Sequence, residues 1–436
     1  MNLKIILYLC GVKDIESVYM ARLIVKNVGP IKDIDIELKK VNVFMGPQSC
    51  GKSTLAKIIS FCSWLEKKKF MDADSDILPD LNNRLKQYHK LTGAYFGNDS
   101  QIIYLGENIS YFYNCTLKDC DKYDIGFVGI VQNKLDKIAF MNDSFFNPKV
   151  IYIPAERNFV SRVPNLGKYA EDRDNLQDFV TSWYDAKRHY TLDTPLDVLN
   201  LSVQFYATAQ DANVIKLSEK QIVNLDTASS GIQSIVPLLT LFDWLSNGIY
   251  INAKPYSPIE EKELLKVVQN LRENSDNFVD SHIDDLSKRM MGILKGTIYS
   301  HTQFIIEEPE QNLYPETQCD LLYYMLSCLN HGKNHRAVIT THSPYILYAL
   351  NNCLLANLVK DEIPEDEKAE YKYNQINIVP SDVAVWEIED GRMKVYDENA
   401  VNWTIQDKDG LIRKNYFNNV MGGVMKDFQN LLMYKD

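Results

Sequence analysis

A glycine-rich segment constrains the fold of this chain more than any other part of its sequence. Residues 46–54 read GPQSCGKST; they follow the apolar run VNVFM and precede LAKIISFCSWLEKKK. The first run predicts a short strand, and the apolar spacing of the second predicts a helix. Gly-x-x-x-x-Gly-Lys-Ser between a strand and a helix is typical of a loop that binds phosphate. A glycine-rich turn without a ligand is the alternative, and the flanking elements disfavour it.

Each position of this loop has an expected role toward a nucleotide. Gly46 and Gly51 allow the backbone to approach the phosphates closely, and Lys52 reaches the β- and γ-phosphates. The Ser53 hydroxyl supplies a ligand for Mg²⁺. The predicted ligands are therefore ATP and Mg²⁺. The other predicted contacts in the loop are Pro47, Gln48, Ser49, Cys50 and Thr54.

A second candidate site lies at the end of a later apolar strand. Residues 304–315 read FIIEEPEQNLYP, so two carboxylates follow the strand at once. An acidic pair at a buried strand end is costly unless a cation or hydrogen bonds compensate. We expect Glu307 to hold Mg²⁺ through its water shell and Glu308 to orient and deprotonate the attacking water. Glu307 is one methylene longer than the Asp usual at such positions, which leaves the metal geometry open.

Two further segments place polar groups at the ends of predicted elements. In VITTHSP, residues 338–344, His342 follows an apolar strand and is predicted to contact the γ-phosphate. In SSGIQ, residues 229–233, a helix begins after a predicted hairpin, so Ser230, Gly231 and Gln233 are candidate anion contacts. An ordinary N-cap is the competing interpretation of this segment, and from these residues alone it would be preferred.

Taken in this order, the four motifs resemble the ABC-type ATPase heads of the SMC-, RecF- and OLD-like group, often catalogued as AAA-type ATPases. In that family the equivalents are the Walker A loop, the signature motif, the Walker B strand and the switch histidine. The resemblance implies an α/β P-loop NTPase fold of the ABC-ATPase type, with a mixed β-sheet core, an N-terminal antiparallel β-subdomain and helical insertions. It also implies ATP hydrolysis, with Glu308 and His342 as catalytic residues.

The resemblance further implies nucleotide-dependent dimerisation. In the family, the signature motif of one head completes the ATP site of another head, so two heads enclose two nucleotides. Each Ser230 would then contact the γ-phosphate bound by Lys52 of the other chain. We therefore expect a homodimer or a higher homo-oligomer that assembles through this composite site.

Three features depart from the family's usual pattern. Ile232 replaces a glycine of the signature motif, and Tyr314 stands where many ABC proteins carry an aspartate. No obvious glutamine of the Q-loop type follows the predicted strand KVIYIP. Glu156 and Arg157 lie at that strand end instead, as candidates for sensing the metal or the γ-phosphate, with Glu156 as a candidate metal ligand. Surface ion pairing is the competing interpretation of both residues.

The net charge and the cysteine content limit which binding partners and which cellular compartment are expected. The formal net charge is −11 and the pI is about 5.3, so no general attraction to DNA, RNA or anionic lipid is expected. The sequence contains no apolar run near the ~18 residues of a membrane span. Eight cysteines are scattered along the chain, and Cys115 and Cys120 have no second pair at metal-ligand spacing. We therefore expect a cytoplasmic protein with reduced thiols.

The predicted organisation is a single ABC-type ATPase domain over residues 20–436. The first hairpin begins at Met20, so residues 1–19 are expected to form a disordered extension or to result from a start upstream of Met20. Insertions with helical or β patterns are expected at about 66–148, 160–205 and 255–300. A small α/β tail is expected at about 371–436.

The biological role follows only from the resemblance. A head of this kind without a Toprim domain resembles the ATPase subunits of bacterial anti-phage defence systems, which sense invasion and control a separate effector protein. One alternative is a RecF-like DNA-repair ATPase that binds DNA directly, a partner that the acidic net charge does not support. Another is a nucleotide-dependent scaffold with little turnover, which the glutamate at position 307 keeps open.

Overall fold

The structure is a computed structural model, and the chain divides into two compact units. The first comprises residues 1–62, 76–137 and 338–436, and the second comprises residues 63–75 and 138–337. The structure describes residues 21–71, 82–114, 127–132, 147–162, 174–251, 299–330, 332–364, 366–368, 371, 373, 376–394 and 404–435. The predicted extension at 1–19 and nearly all of the predicted insertion at 255–300 lie outside the described residues.

The described residues form fifteen strands and six longer helices. The strands are β1 (Arg22–Val28), β2 (Ile31–Glu37), β3 (Val41–Met45), β4 (Phe96–Leu105), β5 (Ile109–Asn114), β6 (Phe127–Gln132), β7 (Lys149–Ile153), β8 (Leu196–Asp197), β9 (Gln204–Ala207), β10 (Asn213–Ser218), β11 (Gln221–Asn224), β12 (Thr302–Glu307), β13 (Arg336–Thr341), β14 (Val383–Glu389) and β15 (Arg392–Lys394). The helices are α1 (Lys52–Met71), α2 (Asn175–Lys187), α3 (Ser230–Asp243), α4 (Pro315–Cys328), α5 (Pro344–Leu358) and α6 (Tyr416–Leu432).

The first unit is built on a mixed β-sheet. Its strand order is β6–β5–β4–β1–β2–β15–β14–β3–β13. Strand β1 pairs antiparallel with both β2 and β4, whereas β3 and β14 pair in parallel. The sheet therefore has an antiparallel part, formed by the N-terminal hairpin with β4–β6, and a parallel part around β3. Both the mixed core and the N-terminal antiparallel subdomain agree with the predicted fold class.

The predicted N-terminal hairpin and the predicted strand before the glycine loop are confirmed. Val28 pairs with Ile31 across a two-residue turn, in which Gly29 adopts a φ of +54°. Strand β3 is buried at every position, and Phe44 stacks on Trp386 with 5.0 Å between the ring centroids. Burial of this aromatic pair stabilises the sheet at the strand that leads into the glycine loop.

The C-terminal region, where an α/β tail is expected at about 371–436, contributes two strands to the sheet of this unit. Strand β14 lies between β15 and β3, so residues 383–389 form an interior strand of the sheet. Its sequence VAVWEIE is buried up to the last residue, as expected for a strand covered on both faces. Strands β4–β6, within the insertion expected at 66–148, extend the same sheet. Periodicity did not reveal these long-range pairings, because it reports local structure only.

The second unit contains a parallel strand pair and a small separate sheet. Strands β7 and β12 run parallel, and the small sheet has the order β11–β10–β9–β8. The predicted hairpin of β10 and β11 is confirmed. Helix α2 provides the described helical part of the insertion expected at 160–205. Helix α3 is buried from Gln233 to Phe242, which places the residues that open it at the edge of this unit's core.

One helical run among the described residues has the length and composition of a membrane span. It covers Ser230–Ile251, with a mean hydropathy of 1.2 over its most apolar window. Within the protein 72% of that window is buried, as in the core helix of a globular fold. A single run of this kind is weak evidence for a membrane.

Candidate functional site

The glycine loop has a backbone that ordinary residues adopt with difficulty. Gly46, Ser49 and Gly51 have φ angles of +140°, +61° and +111°. A Cβ atom on Gly46 would lie 2.0 Å from the carbonyl oxygen of Ile388, and one on Gly51 would lie 2.9 Å from a side-chain carbon of Ile31. Glycine is therefore required at position 46 by both conformation and space. The loop follows β3 and leads into α1, as predicted.

Lys52 is turned back onto the loop that precedes it. Its ammonium donates to the carbonyl oxygens of Gly46 at 2.9 Å and Pro47 at 2.7 Å, and it lies 3.6 Å from the Cys50 sulfur. Only 5% of Lys52 is exposed. These partners are the loop's own acceptors, so the ammonium is held at the place where the loop would surround a phosphate. The charge is thus positioned for a phosphate oxygen to replace the carbonyls.

The other predicted residues of the loop differ in their exposure. Gln48, Ser49 and Ser53 are exposed, and Pro47 is half-buried. Cys50, Gly51 and Thr54 are buried. The Ser53 hydroxyl is thus open to a ligand at the second residue of α1, whereas Thr54 packs inward.

Strand β12 ends in the predicted acidic pair. All six residues of the strand are buried, and Glu307, its last residue, is 7% exposed. Glu307 Oε1 is buried and has no hydrogen-bond partner among the residues that the structure describes. A buried carboxylate oxygen without a partner is destabilising unless a cation or water reaches it. Glu307 therefore fits the expected magnesium ligand, since Mg²⁺ prefers oxygen.

The geometry at Glu308 is less regular than that at Glu307. Glu308 is half-buried, and its φ of +43° lies in the left-handed region, which is costly for a residue with a side chain. Among the described residues, no group of three or more His, Cys, Asp or Glu side chains could hold a metal directly. A Mg²⁺ ion held by few protein oxygens and by water needs no such group.

Arg157 holds the backbone around this acidic pair. It is 0% exposed, and each of its five N–H groups donates to a main-chain carbonyl. The acceptors and distances are Ser234 at 3.1 Å, Pro154 at 3.5 Å, Glu307 at 2.9 Å, Glu308 at 2.7 Å and Pro309 at 3.0 Å. The surface ion-pair interpretation is therefore wrong for Arg157. Direct sensing of phosphate by this residue is also wrong for this conformation, because no donor remains.

The charge of Arg157 is retained despite its burial. Burial lowers the pKa of the guanidinium to about 10, and the nearby carboxylates of Glu310, Glu308 and Glu307 oppose that effect. The group is therefore cationic at neutral pH. Glu156, the neighbouring candidate metal ligand, is exposed, and its role as a metal ligand stays a prediction.

Helix α3 begins in the signature segment, where one serine caps the helix and the next serine is exposed. Ser229 is the N-cap, since its side chain accepts from the backbone N–H of Ile232 at 3.5 Å. The N-cap interpretation thus applies to Ser229, and Ser230 is exposed at the first helical residue. Gly231 lies close to the turn after β12, because a Cβ atom there would be 3.0 Å from the carbonyl oxygen of Asn312. The exposed N-terminus of α3 is suited to an anion.

Gln233 has a different environment from the one predicted. It is 1% exposed, and its amide oxygen accepts from Arg162 Nε at 2.9 Å. Its amide nitrogen donates to the carbonyls of Asp226 at 2.8 Å and Ala228 at 2.9 Å. The side chain therefore anchors the segment before the motif, and a direct side-chain contact with nucleotide is not supported by this geometry.

The remaining candidate, His342, lies where the sequence placed it. It directly follows β13 and is half-buried, and the next residue, Ser343, caps α5 by accepting from two backbone N–H groups. Its contact with a γ-phosphate stays a prediction. The structure adds Arg162 as a residue that the sequence analysis did not consider. In the sequence, Arg162 is distinguished only as a cationic residue about one helical turn after Arg157. That position does not indicate that its partner is Gln233 of the signature segment.

Comparison with known proteins gives a family and a set of distant structural likenesses. Residues 19–281 match the family described as AAA ATPase domain. No curated protein matches the chain. These residues include the glycine loop and the signature segment, and they end before β12.

Three solved structures illustrate the structural likenesses. An SMC head bound to the C-terminal winged-helix domain of ScpA shares 11% identity, covers 76% of this chain and 91% of its own, and has a TM-score of 0.35. The SMC head domain from Thermotoga maritima has the same identity and coverages and a TM-score of 0.32. A dimeric ATP-binding cassette in a post-hydrolysis state with ADP and phosphate shares 10% identity, covers 85% and 96%, and has a TM-score of 0.28.

All three scores are low, so the assignment depends on the family match. That match agrees with the mixed sheet and with the glycine loop between β3 and α1, and the fold is of the P-loop NTPase type. The chain belongs to the AAA ATPase domain family.

Proposed function

We propose that this protein binds ATP with Mg²⁺ and hydrolyses it to ADP and phosphate. The observation that carries the proposal is the glycine loop, where Lys52 is held by two loop carbonyls in a backbone that requires glycine. Lys52 and the loop N–H groups bind the phosphates, and the exposed Ser53 hydroxyl is available to the metal. Mg²⁺, when bound there, would supply positive charge that offsets the negative charge of the phosphates.

The acidic pair has two separate tasks in this proposal. Glu307 would hold the ion through its unpartnered Oε1, directly or through water. Glu308 orients the attacking water and accepts its proton, as a general base. His342 hydrogen-bonds to the γ-phosphate. The left-handed backbone of Glu308 supports its part, since strained residues of this kind are frequent at functional sites.

The proposal includes a nucleotide-dependent homodimer. Ser230 is exposed at the N-terminus of a 14-residue helix, so its hydroxyl and the following N–H groups can meet a phosphate bound by a second copy. Tyr314, just after the acidic pair, is 79% exposed and is available to the same interface.

A trapped dimer tests this assembly. Glu308→Gln keeps the shape of the side chain and removes the base, so the variant should bind ATP and accumulate as a dimer in sedimentation experiments. The matched control is Glu308→Gln combined with Lys52→Ala, which should stay monomeric. A Glu308→Gln variant that binds ATP and Mg²⁺ but stays monomeric would contradict the dimer and leave ATP binding intact.

For the biological role, we propose a cytoplasmic sensor or regulator subunit of a bacterial defence system that controls a separate effector protein. The support is the resemblance of the motifs to such subunits and the net charge of −11, which does not favour direct DNA binding. Co-purification with the product of a neighbouring gene, released by ATP turnover, is the expected result. ATPase activity of the purified protein alone that rises with added DNA would favour the RecF-like alternative instead.

A further inference from the structure

Arg157 connects three segments that are distant in sequence. One acceptor, Pro154, directly follows β7. Three others, at residues 307–309, form the end of β12 and the start of the turn after it. The fifth acceptor, Ser234, belongs to the second turn of α3, directly after the signature segment. One buried side chain therefore holds both the backbone that carries Glu308 and the helix that carries Ser230.

The hydrogen bonds that Arg157 donates indicate that it positions the backbone around Glu308, more than that it neutralises a carboxylate. A buried arginine is usually satisfied by a carboxylate, yet here all five donors reach neutral carbonyls. Three consecutive carbonyls, those of Glu307, Glu308 and Pro309, point to one guanidinium, and Glu308 lies in the middle with its φ of +43°. The planar donor set of arginine thus supports a backbone conformation that is otherwise unfavourable.

A second contact joins the same two segments. The backbone of Gly231 approaches the carbonyl of Asn312 so closely that a methyl group would lie 3.0 Å from it. Arg162, one turn after Arg157, holds Gln233 by its side chain. Any displacement of the first turns of α3 therefore acts on the turn that carries Glu308.

We infer that Arg157 is a positioning residue that keeps Glu308 in its hydrolytic geometry and couples it to the signature helix of the same chain. Contact of Ser230 with the nucleotide of a second copy then changes hydrolysis at Glu308 through Arg157. This inference depends on the proposed ATPase activity and dimer, and it adds a route by which one nucleotide site senses the other.

The first test is Arg157→Lys, which keeps the charge but provides three donors with no planar arrangement. We expect kcat for ATP hydrolysis to fall between about 10- and 100-fold, since small displacements of a reacting group have effects of that size. The Kd for ATP should stay within about twofold of the wild-type value, because the five carbonyls that accept from Arg157 belong to residues outside the predicted phosphate-binding loop. A stability defect alone would not separate kcat from Kd in this way.

The control for lost stability is Tyr190→Phe. It removes a hydrogen bond of 2.6 Å to Asp243, the last residue of α3, at the opposite end of that helix from Ser230. It should lower Tm and leave kcat unchanged. If folded Arg157→Lys keeps kcat within about twofold of wild type, or if Tyr190→Phe loses as much activity, the inference is wrong.

The coupling itself is tested by a double-mutant cycle. Ser230→Ala should lower kcat in the wild-type background and have a markedly smaller effect when Arg157 is already lysine. Fully additive losses would overturn the coupling. If the wild-type protein does not hydrolyse ATP at all, the proposed ATPase function is wrong. That outcome is distinct from additive losses, which contradict only the coupling.

A measurement without any Arg157 variant covers the case in which these variants do not fold. Hydrogen exchange of wild-type protein with ATP and Mg²⁺ should show protection of residues 230–236 and 309–313 together. In Ser230→Ala both segments should lose that protection. Loss confined to residues 230–236 would contradict the coupling.

Discussion

The glycine loop and the acidic turn after β12 are stabilised in opposite ways. In the loop, Lys52 contacts carbonyls five and six residues earlier in the chain. At the acidic turn, Arg157 contacts carbonyls 150 to 152 residues later. The described contacts of Lys52, in the proposed phosphate-binding loop, thus lie within a short contiguous segment, whereas the backbone of the proposed base Glu308 is held by a residue distant in sequence. Substitutions in the two regions should therefore impair different properties of the protein.

The largest effect is expected for Gly46→Ala. The new Cβ atom would lie 2.0 Å from the carbonyl of Ile388 at a φ of +140°, so the loop and β14 must separate. We expect the free energy of unfolding to fall by about 3 kcal/mol or more, together with loss of ATP binding. Chemical denaturation measures the first effect.

Gly332→Ala is the matched control for this substitution. Gly332 also has a positive φ, +63°, but among the described residues other than its chain neighbours no atom lies within 4 Å of its added Cβ. We expect a loss of only about 1 kcal/mol there. Equal losses at the two positions would show that strain alone, and not the collision with Ile388, determines the cost.

Lys52→Ala should affect binding and leave folding almost intact. Both carbonyls that accept from Lys52 belong to the same loop, so the substitution acts first on the loop itself. We expect the Kd for ATP to rise by about 100-fold, as for loss of a charge-assisted hydrogen bond to phosphate. Calorimetric titration measures the Kd, and retained affinity would overturn the assignment of the loop.

Gln233→Ala and Ser230→Ala should distinguish a residue that stabilises the signature segment from one that contacts the nucleotide. Gln233 is buried with three hydrogen bonds, so its loss should destabilise the protein by about 1–3 kcal/mol. Ser230 is exposed, and its replacement should lower turnover while changing stability by less than about 0.5 kcal/mol. Thermal unfolding and phosphate release distinguish them; the opposite pattern would restore Gln233 as a ligand contact.

The contrast between the two regions also explains how much the sequence could predict. The N-terminal hairpin, β3, α1, β7, β12 and β13 were all identified, because each has a local apolar pattern. The interior position of β14 was not, since its pairing with β3 depends on residues far apart. Among site residues, Lys52 and Glu307 could be predicted from their motifs, and their roles toward nucleotide and metal stay predictions. The contacts of Arg157 could not be predicted, because its five acceptors are main-chain atoms and leave no trace in residue type.

The measurement that tests the central claim most directly is steady-state phosphate release with ATP and Mg²⁺, made in parallel on wild-type protein and on Glu308→Gln. We predict turnover by the wild type, and a Glu308→Gln variant that binds ATP with an unchanged Kd but loses at least about 100-fold in kcat, as for removal of a general base. Equal turnover by the two proteins, or wild-type protein that binds ATP without releasing phosphate, would contradict the account.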